Sequence, residues 1–206
     1  MRRKTCVVTS SMSRRSLLAA GGAVLAVALA ACTSNDPLAK QASAGDNKNY
    51  IAGDGSVTEY GVADRKDPVQ FKAALFDGSA VDSAKFAGQV TVLNFWYAAC
   101  APCRVEAPDM QALFTDFKPQ GVEFLGVNVR DEKATAEAFE RNFGLGYPSI
   151  VDKDGGVLLA MTQYVPPAAV PTTLVLDKKG RVSARILGVA EKGTLKALIT
   201  SALAEN

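Results

Sequence analysis

Two cysteines separated by two residues, Cys100 and Cys103, are the side chains of this sequence best suited to chemistry. They close the stretch Asn94-Phe95-Trp96-Tyr97-Ala98-Ala99-Cys100-Ala101-Pro102-Cys103. A disulfide is attacked by a thiolate, so an attacking cysteine needs a pKa below the ordinary thiol value. The apolar run before the pair reads as a strand and the residues after it as a helix, with Cys100 at the junction. There the unpaired N–H groups and positive dipole end of the helix face its sulfur. Cys103 follows one turn further in, close enough to close the pair. Pro102 falls in the first helical turn, where its missing N–H costs little. On this reading Cys100 is the exposed attacker and Cys103 the shielded resolving thiol.

The remaining chemistry is narrow. The chain has no histidine, which removes imidazole as base, nucleophile or ligand. Of four cysteines, Cys6 and Cys32 lie far upstream in a segment read below as a targeting region. A zinc site built on Cys100 and Cys103 would need two more ligands, and the folded part has no further Cys or His to give. No metal and no bound cofactor is therefore expected beyond a redox-active Cys100–Cys103 disulfide. Glu106 stands one helical turn beyond Cys103 and so near it in space. Partly buried there, its carboxyl would have a raised pKa, as general acid–base work requires. The other reading is a solvated helix glutamate.

Residues 1–31 read as an export signal. Arg2, Arg3, Lys4, Arg14 and Arg15 make a basic start, followed by an apolar run from Leu17 to Ala31. Its 15 residues are short for a bilayer, which takes about 20. Leu29-Ala30-Ala31-Cys32 resembles the lipobox of bacterial lipoproteins, which implies cleavage before Cys32 and lipidation of its thiol. Ser13-Arg14-Arg15-Ser16-Leu17-Leu18 resembles a twin-arginine export motif, and Met12 offers an alternative start. From Cys32 onward 18 basic residues meet 21 acidic ones, a net −3, so the positive balance belongs to targeting. A nucleic-acid footprint is absent from the folded part. Residues 32–60 are polar and small and read as a lipidated N-terminus with a flexible tether. Residues 61–206 suffice for one core.

Within that domain strand and helix signals alternate. Val69 to Phe76, Asp77-Gly78 and Ala80 to Asp82 read as a hairpin. Val90 to Tyr97 reads as a buried strand, with a helix from the cysteines towards Phe117 and a stop at Pro119-Gln120-Gly121. Val122 to Val129 is the next strand, and Ala138, Phe139 and Phe143 give Ala134 to Phe143 a helical period. Leu174 to Asp177, Lys178-Lys179-Gly180 and Arg181 to Leu187 read as strand, turn and strand. Lys192 to Leu203 closes as an amphipathic helix. A β-α-β half followed by a β-β-α half makes a three-layer α/β domain.

The stretch resembles the thioredoxin superfamily, specifically the TlpA/ResA/CcmG branch of membrane-tethered thiol reductases. The resemblance covers about Val69 to Leu203. It rests on Asn-Phe-Trp before the pair, Pro108 five residues after Cys103, and Val170-Pro171-Thr172-Thr173 before a late strand. It implies a thioredoxin-like sandwich with an N-terminal β-hairpin extension and a central helical insertion. It further implies a cis Pro171 beside the disulfide, with Val170 offering its backbone to an extended substrate. Trp96, Pro102, Val170, Pro171 and Thr172 are then the substrate-binding residues, and Glu106 tunes the thiols and helps move protons. Asn94 stands where cytoplasmic thioredoxins carry a buried Asp. Ala99 departs from the family, which usually has Trp before the attacking cysteine, and Ala101 leaves the reduction potential open.

The expected activity is extracytoplasmic thiol–disulfide exchange from a lipid-anchored position on the bacterial cell membrane. A reductase would keep partner thiols reduced, for instance those of apocytochrome c, with electrons from a membrane thiol-transfer protein. The alternative is an oxidase that donates its disulfide to exported proteins. A thiol peroxidase of the AhpC/TSA type is a lesser alternative, because Tyr97 stands where a peroxiredoxin wants Thr or Ser. A Sco-type copper chaperone would keep a distal histidine, and a binding-only module usually loses one cysteine.

Overall fold

The computed structural model describes residues 51–205. The signal and twin-arginine readings, Cys6, Cys32 and the first part of the tether lie outside the described residues.

The strands are β1 (Ser56–Glu59), β2 (Lys72–Leu75), β3 (Ala80–Asp82), β4 (Thr91–Trp96), β5 (Glu123–Asn128), β6 (Ser149–Val151), β7 (Thr172–Leu176) and β8 (Val182–Leu187). The helices are α1 (Ala101–Phe117), α2 (Lys133–Phe143), α3 (Gly156–Ala160) and α4 (Lys192–Ala204). The strands form one sheet in the order β1-β8-β7-β4-β5-β6-β2-β3. β4 runs parallel to β5 and antiparallel to β7, and every one of its residues is buried. That is what a continuous β-rich apolar run requires of a strand covered on both faces.

Side chains alternate across β4 and sort the core into layers. Val92 joins Met110, Leu113 and Phe117 of α1 with Leu195, Leu198 and Ile199 of α4 on one face. Leu93 and Phe95 join Leu125, Ile150 and Leu174 on the other, under Val157 of α3 and Met161, Tyr164 and Val165 after it. α1 buries Cys103, Glu106, Ala107, Met110, Leu113 and Phe117, a stripe at helical spacing, and packs against α2 and α4. This is the expected three-layer, thioredoxin-like α/β architecture. The hairpin β2–β3 turns where the Asp77 carboxylate accepts the Ser79 N–H and Gly78 takes a φ of +89°. The helical insertion lies between β5 and β7, as α2 and α3 around β6.

The structure adds elements that the sequence pattern does not announce. β1 falls inside the stretch expected to be tether and pairs along β8, from Ser56 beside Leu187 to Glu59 beside Ala184. It is a polar, mostly exposed edge strand held by backbone pairing, so no apolar alternation marks it. The chain before it is also fastened: Ile51 N–H donates to the Ala168 carbonyl at 2.8 Å and Gly55 N–H to the Leu187 carbonyl at 2.7 Å. Between them Gly53 and Gly188 meet backbone to backbone, and a Cβ on Gly188 would lie 2.6 Å from the Gly53 oxygen.

Gly188 also has a φ of +97°, which L side chains rarely adopt. Gly188→Ala should therefore cost about 1–3 kcal/mol and loosen residues 51–55 from β8. Urea unfolding should show the loss, and limited proteolysis should cut before Ser56 faster than in the parent. An unchanged cleavage rate would show that the close approach does not hold this segment.

Candidate active site

β4 ends at Trp96, and the chain reverses through a turn in which Cys100 N–H donates to the Tyr97 carbonyl at 3.1 Å. Cys100 then caps α1 in an extended conformation, with φ −74° and ψ 109°. Its Sγ accepts the Cys103 backbone N–H at 3.2 Å, so one open donor of the first turn is spent on the sulfur. Cys100 and Cys103 are joined in a disulfide, their Cα atoms 5.3 Å apart. Pro102 sits in the first turn, as expected, and Pro108 lies inside α1, where it removes one backbone donor.

The late loop meets this pair. The Val170–Pro171 peptide bond is cis, in line with the expectation for Pro171. The Val170 carbonyl oxygen lies 3.9 Å from Cys100 Sγ. Thr172 turns its hydroxyl inward, donating to the Ala169 carbonyl at 2.7 Å, and is buried. Pro171 O in turn accepts the Gly188 N–H at 2.9 Å.

Two expectations change here. Cys100 was assigned as the exposed sulfur, yet in the disulfide form it is 0 % exposed and Cys103 2 %. Cys100 Sγ lies against the Val170 carbonyl and accepts the Cys103 N–H, so the two sulfurs differ by their contacts and not by exposure. Trp96 was expected to touch substrate, yet it is 2 % exposed and stacks on Phe139 of α2 at 4.4 Å. Alternation along β4 puts it on the same face as Val92 and Asn94, so it supports the site from below. Val170, Pro171 and Thr172 are buried too, and Pro102 is half-buried.

Glu106 is 1 % exposed, so the solvated-helix reading is excluded. Its Oε1 accepts from Asn94 Nδ2 at 2.7 Å and its Oε2 from the Ala190 N–H at 2.8 Å. Asn94 Nδ2 also donates to Thr173 Oγ1 at 3.1 Å. Neither sulfur is among the hydrogen-bond partners of Glu106 within the described residues. Burial raises its pKa to about 8, against the two hydrogen bonds that favour the ionised form. Sequence reasoning missed Arg104, Asn128 and Asp131, which grip the turn before Cys100. The signal for Asn128 and Asp131 is a polar Asn-x-x-Asp at the end of an apolar strand, and Arg104 carries none. Among the described residues no group of three or more His, Cys, Asp or Glu could hold a metal ion.

A family model described as the AhpC/TSA family matches residues 65–185. The thiol-disulfide oxidoreductase ResA of Geobacillus kaustophilus is 41% identical over 107 residues, which cover 52% of this chain and 59% of that protein. ResA of Bacillus subtilis is 32% identical over 127 residues, 62% of this chain and 69% of that one. The chain thus spans about three fifths of the length of the Geobacillus relative and about two thirds of the Bacillus one. Among solved structures, a DsbF homologue from Corynebacterium diphtheriae aligns at a TM-score of 0.64 and 32% identity, covering 72% of this chain and 94% of that one. A secreted thiol-disulfide isomerase from Corynebacterium glutamicum aligns at 0.66 and 30%, covering 76% and 97%.

A glutamate raised from an ordinary 4.5 to about 8 keeps a proton in the folded state that the unfolded chain releases. Its contribution to stability is therefore largest below pH 4.5, declines as pH rises, and levels off above about 8. Glu106→Gln removes that titration, so the stability of the parent relative to the variant should fall between pH 5 and 8. Urea unfolding at a series of pH values checks this. A difference that stays constant across that window would mean Glu106 is ionised throughout.

Proposed function

The chain belongs to the AhpC/TSA family, and on that premise we propose that it is a thiol–disulfide oxidoreductase. We place it outside the cytoplasm, anchored through Cys32, where it reduces the disulfides of partner proteins. The observation that carries the proposal is the Cys100–Cys103 disulfide at the N-terminus of α1, beside the cis Val170–Pro171 bond. ResA and thiol-disulfide isomerase relatives support the same chemistry.

In the reductive direction the Cys100 thiolate attacks one sulfur of a partner disulfide. A Cys100–partner bond forms, and the other partner sulfur leaves as a thiolate that takes up a proton. Cys103, as thiolate, then attacks Cys100 Sγ. The Cys100–Cys103 bond forms and the second partner thiol is released, so two electrons pass from enzyme to partner. The Cys103 N–H and the helix dipole stabilise charge on Cys100, while Glu106 tunes the thiols and helps move protons from beneath. Backbone at Val170, with Pro171 and Thr172 fixing the loop and Pro102 beside it, receives an extended partner segment. No metal or organic cofactor takes part. Apocytochrome c before haem attachment is a fitting partner, and a membrane thiol-transfer protein would restore the dithiol. The oxidase reading runs the same steps backwards and would donate the disulfide to exported proteins. A peroxidase reading lacks Thr or Ser at the position of Tyr97.

Changing Cys103 to Ser should trap partners as stable adducts on Cys100, and Cys100→Ser should trap almost none. Mass spectrometry of the adducts would name the direction, since cytochrome c maturation proteins imply a reductase and assorted exported proteins an oxidase. Equal trapping by both variants removes the assigned roles. Replacing Cys32 with Ala should release the protein from membranes or leave an uncleaved precursor. A variant still processed and membrane-bound as the parent is would exclude lipidation at Cys32.

A further inference from the structure

The turn that delivers Cys100, Tyr97-Ala98-Ala99-Cys100, contains none of the residue types that fix a turn from within. It has no Gly, Pro, Asn or Asp. Ala99 is exposed and Ala98 half-buried, so their methyl groups give packing little to hold. Yet both sides of the Ala98 residue are pinned from outside. Its N–H donates to Asp131 Oδ2 at 2.6 Å, and its carbonyl accepts from Arg104 Nη1 at 3.2 Å. Asp131 is itself braced. Its Oδ2 accepts from Asn128 Nδ2 at 2.8 Å, and Asn128 Oδ1 accepts the Asp131 and Arg130 N–H groups at 2.8 and 3.1 Å. Asn128 is fully buried at the end of β5, level with Trp96 at the end of β4. The Val129 N–H closes the register on the Trp96 carbonyl at 3.1 Å. Arg130, from the same turn, lies 4.4 Å over the Tyr97 ring.

We infer that Asp131 is a positioning residue for the exchange reaction: its carboxylate fixes the Tyr97–Cys100 turn so that the Cys100 sulfur stays on the N-terminal donors of α1. The inference rests on the oxidoreductase reading for the reaction but on hydrogen-bond geometry for the contact. Helix donors stabilise a thiolate only within the first turn, so a turn that drifts loses both alignment and charge stabilisation. The same carboxylate has an electrostatic effect of opposite sign. A negative charge on the Ala98 amide opposes a second negative charge on Cys100. The other titratable groups at this turn are the cations Arg104 on α1 and Arg130 beside Asp131, and the buried Glu106 below, whose raised pKa keeps it mostly neutral.

Asparagine keeps the acceptor and removes the charge, whereas alanine removes both, so the two substitutions separate these effects. In the reduced full chain, Asp131→Ala should slow reduction of insulin disulfides about tenfold per folded molecule, because the acceptor is gone. Asp131→Asn should stay within about twofold of the parent in rate and move the pH profile of Cys100 alkylation to lower pH. Rates and alkylation profiles like the parent's in both variants, with only the melting temperature lowered, would reduce Asp131 to a structural residue. An Asp131→Asn rate as low as that of Asp131→Ala would also overturn the positioning role. Failure of the parent itself to reduce insulin would strike the oxidoreductase reading alone, since the alkylation profile still reads the Asp131 contact without a substrate.

Discussion

The geometry of the site hangs on one buried carboxyl group. Glu106 joins α1 to Asn94 in the middle of β4 and to the Ala190 N–H ahead of α4, and Asn94 carries the link on to Thr173 in β7. Two central strands, the cysteine-bearing helix and the entry to the last helix therefore share one polar centre inside an apolar core. Such a group is costly unless every donor and acceptor finds a partner. Here both carboxylate oxygens and both hydrogens of the Asn94 amide are used. Sliding α1 along the sheet would break these bonds together, so α1 is held in register with β4. That register puts Cys100 at the end of the strand.

Charge follows from the same placement. A carboxyl whose pKa is raised by burial to about 8 is mostly protonated at neutral pH. Beneath the disulfide it is then a mostly neutral group that can still release or take up a proton. The positive influences nearest the sulfurs are the N–H groups of α1, one of them already aimed at Cys100 Sγ. A fully ionised carboxylate in the same place would oppose them. Burial of Glu106 thus removes a competing negative charge and stores a proton, both through the low dielectric around α1.

Much of this was legible in the chain. The β-rich apolar run from Val90 to Tyr97 announced a strand buried on both faces that leads to the cysteines. The spacing of Cys103 and Glu106 put that carboxyl one turn beyond the pair, and Pro171 marked the loop that meets the cysteines. What stayed hidden has a physical reason in each case. β1 is polar and held by backbone pairing, so it carries no hydrophobic signature. α3 has five residues and depends on the Asp152 carboxylate, which accepts the Val157 and Leu158 N–H groups, a local device and not a periodic one. Burial of Cys100 comes from the Val170 loop, 70 residues away, and burial of Trp96 from Phe139 on α2. Contacts at such separation leave no mark near the residues they cover.

The rim around the cysteines is built from small side chains. Ala98, Ala99 and Ala101 surround Cys100, Pro102 follows, and Val105 is 67 % exposed on the outer face of α1. Alanine at position 99 supplies no aromatic ring to that rim, and the aromatics that pack with the cysteines, Trp96, Tyr97 and Phe76, are buried. Trp96 itself is turned inward against Phe139 of α2. On the proposed function, an extended partner would be read by main-chain pairing more than by side-chain identity. A rim of this kind discriminates little among partner sequences. On the proposed function, selectivity would then come from where the domain is held and which disulfides come within its reach.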